Sequence, residues 1–399
     1  INIAAASELA KEFKFHTPPI IEVILPMTRS ADQVLQTEKM FRKIARINCQ
    51  IFDDKAACSL SSIGMIPLIE RVEDLCRAGS LVEEYLELYK KEYGIHPQYM
   101  RPFIARSDPA LNAGLVPAVL ASKVAISQFA DLEKKTGVPM YPIIGTGSLP
   151  FRGGVNPENI REVIQEYSGI RTLTIQSAFK YDYRQAQVAR ALKFINKTLP
   201  KLKPIHITDA ETKSIKKINA IFEKFYQATV EPLAPMVNKL AGLIPQRRER
   251  MLHIGLFGYS RGMGKVSLPR AITFTGAFYS IGVPPEFIGT GRGLRAAEKA
   301  GLLPLIRKLY LNLERDLVHA GKYLNKENLE KLAKKHAPFR EIMEDVKEVE
   351  RILGAKLGPF KDHHFIHRNL TSSIYYKTNM GASPSSEILE AAILRKSLG

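Results

Sequence analysis

Six short apolar runs, most of them separated by longer stretches with helical periodicity, constrain what this chain can become. They are IIEVILPM (20–27), GMIPLIE (64–70), QYMRPFIARSD (98–108), MYPIIGTG (140–147), RTLTIQSA (171–178) and MLHIGLFGYSR (251–261). They are rich in Ile, Val, Leu and Tyr and show little alternation of apolar with polar residues. A strand that alternates buries one face. A strand that does not is buried on both, and parallel sheets covered by helices are its usual setting. The helical stretches include ADQVLQTEKMFRKIARI, RVEDLCRAGSLVEEYLELYKKEY, GLVPAVLASKVAISQFADLEKKTG and NPENIREVIQEYSG, with a longer one at 209–242. Gly137 is placed to end the third as a C-cap, and Asn156 with Pro157 to open the fourth as N-cap and first helical residue.

Repeated strand–helix units predict an α/β fold around a parallel sheet. Six such units allow either a doubly wound sheet or a β/α barrel. In both architectures function gathers at the C-terminal ends of the strands. The second run ends in Glu70 and the third in Arg106, Ser107 and Asp108. The fourth runs into GTGSLPFRGG (145–154), where Gly145, Gly147, Gly153 and Gly154 flank Arg152. The fifth carries Gln176 and then Lys180, and the sixth ends in Arg261 with Arg270 beyond it. Carboxylates such as Glu70 and Asp108 suit a hard divalent cation, Mg²⁺ or Mn²⁺. Arginines offer paired donors to phosphate and carboxylate, and a glycine loop lets backbone N–H groups approach an oxyanion. Together these residues describe a site for a small, highly charged phosphorylated acid held beside a metal.

Plainer readings stand beside each. Glu70 fits a solvated or capping residue, Asp108 a cap on the next helix, and GTGSLPFRGG an ordinary strand-to-helix turn. GYSRGMGK (258–265) is not a phosphate-binding P-loop: its glycines are spaced one residue too far apart, and Val266 stands where the hydroxyl residue belongs. GTGRG (289–293) lacks a preceding strand, and His16, His96 and His253 lack metal-ligand spacing. The net charge of +18 favours anionic partners, although lysine-rich solvated helices account for it equally well. The basic runs do not interleave with aromatic residues and there is no Trp, so no nucleic-acid partner is expected. No uninterrupted run of 18 apolar residues occurs, so no membrane span is expected. Three cysteines without a CxxC pair argue against zinc and fit a reducing cytoplasm.

EVILPMT, PLIE, ARSDPALNAG, YPIIGTGSLPFRGGVNPEN, TIQSAFKYDY, LHIGLFGYSR, SLPRAITFTGAFYSIGVPPEFIG and the closing LRKSLG resemble, in order from residue 20 to the C-terminus, archaeal-type phosphoenolpyruvate carboxylase. The resemblance implies a cytoplasmic enzyme that joins phosphoenolpyruvate and bicarbonate into oxaloacetate and phosphate with Mg²⁺ or Mn²⁺. It implies a homotetramer built on an eight-stranded β/α (TIM-type) barrel with additional helices. On that reading residues 1–290 hold six barrel strands and a helical insertion at about 185–250, and residues 291–399 form a helical region packed on the barrel. Glu70 and Asp108 match metal ligands, Arg152 matches an essential arginine of a glycine-rich motif, and Arg261 and Arg270 match phosphate-holding arginines. Gln176 matches a glutamine of the site, and Lys180 lies in the same segment. The glycine loop is expected to act as part of a lid that shields the reacting groups from water.

The chain departs from the wider family in two ways. Leu111 and Asn112 occupy the stretch where a lysine is usual, with Arg106 expected to replace its charge, and Thr146 stands in place of an arginine. The family's HPDN-type motif with its catalytic histidine and two N-terminal barrel strands are not found, which leads to the expectation of a longer natural chain, by about 60 residues on barrel averages. A second reading, another metal-dependent barrel enzyme acting on phosphoenolpyruvate or pyruvate, shares a metal held by Glu and Asp on barrel strands. A third, a non-catalytic basic scaffold or nucleic-acid-binding protein, rests on the charge and predicts salt-sensitive nucleic-acid binding.

Overall fold

Five of the six apolar runs form strands: β1 (Glu22–Leu25), β2 (Gly64–Ile69), β3 (Phe103–Ala105), β4 (Ile143–Gly145) and β5 (Thr172–Leu173). The computed structural model describes residues 3, 6, 9, 10, 12–15, 20–52, 63–245, 261–263 and 266–397. Each of the five strands pairs in parallel with the next in sequence. Among the described strands the order never reverses, so they show no topological switch point of the doubly wound kind. The strands are shorter than the apolar runs that contain them. Pro67 explains one local change: lacking an N–H, it sits where pairing to β1 ends and pairing to β3 begins at Leu68.

The sixth run falls at 251–260, outside the described residues, apart from Arg261. That residue opens β6 (Arg261–Met263), which pairs antiparallel with β7 (Val266–Leu268) in a separate hairpin. The rest of the described chain is mostly helix, giving a mixed α/β protein.

Helices bury their apolar faces against the sheet and against one another. The helix Leu115–Thr136 is long and apolar enough to cross a membrane by length and composition, with a mean hydropathy of 1.4 over its best window. Yet 83% of that window is buried inside the protein, against the helices Ala78–Tyr93, Ser107–Ala113 and Asp209–Val230. It is a core helix. Gly137 ends it in the left-handed conformation (φ 72°), as its position after Thr136 predicts. Asn156 acts differently from expectation. Its Oδ1 accepts the N–H groups of Glu158 and Asn159 (3.0 and 3.1 Å), closing a turn, and the helix starts only at Ile160.

GTGRG also finds its explanation here. It opens the helix Thr290–Lys299 where that helix crosses Ala337–Leu353. A Cβ on Gly291 would lie 2.0 Å from the Asp345 carbonyl oxygen, so only glycine allows the approach. Arg292 then pairs with the buried Asp345 (2.9 Å).

One charge lies inside the apolar helix. Lys123 is buried, and its Nζ donates to Glu166 Oε1 (2.7 Å) and to the Glu166 carbonyl (2.8 Å). The second Glu166 oxygen accepts the Asn312 N–H (2.7 Å). Removing one member of a buried pair strands the other without compensation. Lys123→Met is therefore expected to destabilise the protein by about 3 kcal/mol. Chemical denaturation measures this, and a loss under about 1 kcal/mol would show that Glu166 finds compensation elsewhere.

Candidate active site

The parallel sheet brings the C-terminal ends of β2, β3, β4 and β5 side by side. A cavity of about 600 Å³ opens there, and Glu70, Arg106, Asp108, Gly145, Arg152, Gln176, Lys180 and Arg270 all line it. Residues separated by up to 200 positions in sequence thus share one wall. Gly147, Gly153 and Gly154 shape the loop that carries Arg152 and do not line the cavity. Arg261 begins β6, and its side chain lies outside the described residues. His96 lies apart from the cavity, and His16 and His253 fall outside the described residues.

The acidic side is set by two neighbouring strand ends. Ile69 of β2 is in register with Ile104 of β3, so Glu70 follows β2 as Ala105 and Arg106 follow on its neighbour. Glu70 is 8% exposed, and its Oε2 accepts the Met27 N–H (2.6 Å). Met27 reaches it from the turn after β1 with φ 51°, a conformation disfavoured for a side chain of that size. That backbone strain sits where a carboxylate is being aimed. Asp108 is in the first turn of the helix Ser107–Ala113, whose N-cap is Arg106 without a side-chain cap bond. Asp108 is therefore not the N-cap that a plain reading makes of it.

The basic side is the glycine loop. In this conformation it is a closed, buried turn. Gly147 N–H donates to the Arg152 carbonyl (2.7 Å), and Val155 N–H to the Gly147 carbonyl (2.8 Å). Gly153 (φ 111°) and Gly154 (φ 73°) adopt backbone angles that side chains disfavour. They close the turn. Phe151 is fully buried, its ring stacked near those of Phe274 (5.8 Å) and Tyr226 (6.4 Å).

Arg106 fastens this loop to β3. Its Nε donates to the Tyr167 hydroxyl (2.8 Å), Nη1 to the Phe151 carbonyl (3.1 Å) and Nη2 to the Pro150 carbonyl (3.3 Å). Burial opposes its charge, but Tyr167, Tyr310 and Asp316 outweigh that and raise its pKa. The side chain expected to replace a missing lysine is thus committed to the loop. Thr146 is fully buried, its N–H bonded to Thr174 Oγ1 (3.1 Å).

Arg152 is held from two sides. Its Nη2 donates to Gln176 Oε1 (2.7 Å), and its guanidinium packs against Gly147, where an added Cβ would come within 2.7 Å of Cζ. Arg270 is the N-cap residue of the helix Ala271–Ser280, and Lys180 lies in the last turn of the short helix Ser177–Tyr181. Sequence reasoning missed Tyr167, which anchors Arg106, and Tyr310 and Asp316 behind it. Asp316 accepts the Tyr310 hydroxyl (2.7 Å). No local pattern marks these residues, because each acts only after the chain has folded.

The family model for phosphoenolpyruvate carboxylase matches residues 1–399. The chain belongs to the phosphoenolpyruvate carboxylase family. It is 38% identical to the phosphoenolpyruvate carboxylase of Caldivirga maquilingensis over 417 residues, covering 100% of this chain and 79% of that one. It is 38% identical to that of Metallosphaera sedula over 397 residues, covering 96% of this chain and 76% of the relative. The match to that of Leuconostoc mesenteroides subsp. mesenteroides is 35% over 382 residues, covering 96% and 75%. The resemblance read from the motifs is therefore upheld.

Two tests follow for this family member. Gly147→Ala introduces no backbone conflict and presses on the far end of Arg152. It is expected to leave the melting temperature within a few degrees while lowering kcat/KM by about tenfold or more. Unchanged kinetics in a folded variant would show that Arg152 has room to spare. The second concerns Asp316, which burial pushes up to about 7, against the pull of the Tyr310 hydrogen bond. An aspartate whose pKa is raised on folding stabilises the native state most when protonated. That contribution is complete below about pH 4 and is lost as pH rises through about 7. Asp316→Asn should therefore flatten the fall in melting temperature between pH 5 and 8. Coincident pH profiles for the two proteins would sink this assignment.

Proposed function

We infer that the protein is a phosphoenolpyruvate carboxylase and that the cavity at the strand ends is its reaction site. A bicarbonate oxygen attacks phosphorus and the bond from phosphorus to the enol oxygen breaks, giving carboxyphosphate and the enolate of pyruvate. Carboxyphosphate releases CO₂, leaving phosphate, and C3 of the enolate bonds to the CO₂ carbon to give oxaloacetate. The observation that supports this reading is the meeting of two carboxylates with Arg152, Arg270 and Lys180 around one cavity, in a chain of this family.

Glu70 and Asp108 are the residues that would hold Mg²⁺ or Mn²⁺. Two hard carboxylate donors fit such an ion, which takes its remaining ligands from water and substrate. Among the described residues no cluster of three or more His, Cys, Asp or Glu adds a further set of ligands. Bound there, the metal would supply Lewis-acid stabilisation of charge on the enol oxygen. Arg152, Arg270 and Arg261 would neutralise charge on the transferring phosphoryl group. Gln176 fixes the direction of Arg152, and Lys180 adds positive charge at the cavity wall.

The unreversed parallel order supports a β/α barrel as the complete architecture. A homotetramer agrees with the apolar side chains exposed on the C-terminal helix pair, Phe365, Ile366, Tyr376, Met380, Leu389 and Ile393. A cytoplasmic setting agrees with Cys76, a buried thiol without a disulfide.

The deciding assay follows oxaloacetate formed from phosphoenolpyruvate. Product and phosphate are expected only with bicarbonate present, to vanish with a chelator, and to return with Mg²⁺ or Mn²⁺. Arg152→Gln should lower kcat/KM by about a hundredfold or more, and Glu70→Gln and Asp108→Asn should weaken Mn²⁺ binding read by electron paramagnetic resonance. Phosphate release that ignores bicarbonate would point instead to a different phosphoenolpyruvate-using enzyme.

A further inference from the structure

Phe151 is gripped at every polar atom it has. Its carbonyl accepts from Arg106, its ring is enclosed by Phe274 and Tyr226, and its N–H donates to Glu286 Oε1 (2.9 Å). Glu286 comes from the other half of the chain, 135 residues away, in the short turn Pro285–Phe287. It is fully buried and does not line the cavity. The same Oε1 accepts the Tyr279 hydroxyl (2.9 Å), so two donors converge on one oxygen. Nothing about the reaction requires a carboxyl group at this depth, and burying one is costly unless it satisfies donors that have no alternative.

The residue it holds is the one immediately before Arg152. The two residues share a peptide bond, so the direction of the Phe151 backbone sets where the Arg152 side chain starts toward Gln176 and the cavity. We propose that Glu286 is a positioning residue for the carboxylation reaction: it fixes the Phe151 peptide so that the Arg152 guanidinium is presented to the substrate without rearrangement. This rests on the role given to Arg152 above. An arginine misplaced by about 1 Å at a reacting centre loses up to about a hundredfold in rate, so a distant carboxyl group acting through the backbone has a kinetic signature.

A double-mutant cycle reads that signature. Glu286→Met fills the same volume while removing the acceptor. It is expected to lower kcat/KM by about 10- to 100-fold in the otherwise native enzyme. In the Arg152→Gln background the same change is expected to cost less than about twofold, because the group it positions is already gone. Equal losses in both backgrounds, or no loss in the native one, overturn the proposal. A kcat/KM unaffected by Arg152→Gln alone instead overturns the role of Arg152, which keeps the two failures apart. Where Glu286→Met does not fold, Glu286→Gln decides, since its amide oxygen still accepts from Phe151 N–H. A folded Gln variant must keep kcat/KM within about threefold and must retain the loss on adding Arg152→Gln; a larger fall on its own overturns the assignment.

Discussion

A buried guanidinium whose three donor nitrogens turn toward neutral oxygens carries the architecture of this site. Arg106 leaves the end of β3 beside Asp108 and reaches Tyr167 and the carbonyls of Pro150 and Phe151. No carboxylate is among these hydrogen-bond partners. A charge buried that way must satisfy its donors with fixed dipoles, and it tolerates little movement in any of them. The strand end bearing an acidic side chain and the loop bearing Arg152 are therefore coupled through one residue. Charge of both signs reaches the cavity in a fixed relation before any substrate arrives, which is the preorganisation that electrostatic catalysis needs.

The glycine loop shows how such a relation is kept. Four glycines in ten residues look like freedom to move. In the folded chain the freedom is spent: Gly153 takes φ 111°, and a Cβ there would lie 2.7 Å from Thr146 Cγ2 and 3.1 Å from Arg106 Cγ. Gly147 makes room for the Arg152 guanidinium itself. These glycines exist for close approach, and the hydrogen bonds they permit lock the turn.

Much of this was legible in the sequence, for reasons that differ by residue. The strand runs were visible because burial on both faces removes polar alternation, and strand ends in a parallel sheet are where chemistry collects. Glu70, Asp108, Arg152, Gln176, Lys180 and Arg270 were found that way and do share one cavity. The duty of Arg106 was not legible, since its partners lie 44 to 61 positions away and are chosen by packing. Asn156 precedes Pro157 as an N-cap should, yet its side chain closes a turn and the helix begins later. The apolar character of Leu115–Thr136 was broken by Lys123, whose partner Glu166 appears only in three dimensions. Local pattern reveals what each segment wants; it is silent on which distant group satisfies it.

The same logic extends to the C-terminal helices, which do not line the cavity but are tied to elements that support it. The helix after the glycine loop, Ile160–Glu166, is tied to them at several points. Glu166 accepts the Asn312 N–H, Arg315 bonds Asn159 (2.7 Å) and Glu162 (3.0 Å), and Lys396 reaches Glu158 (2.6 Å). The exposed pairs contribute little individually. The buried ones cannot be lost so cheaply, because Glu166 also balances Lys123 in the core. Asp316 and Tyr310 stand behind Arg106, and Glu286 stands behind Phe151. Each is more than 100 residues from the group it supports. Glu286, Tyr310 and Asp316, none of which lines the cavity, thus brace the loop and the strand end that do.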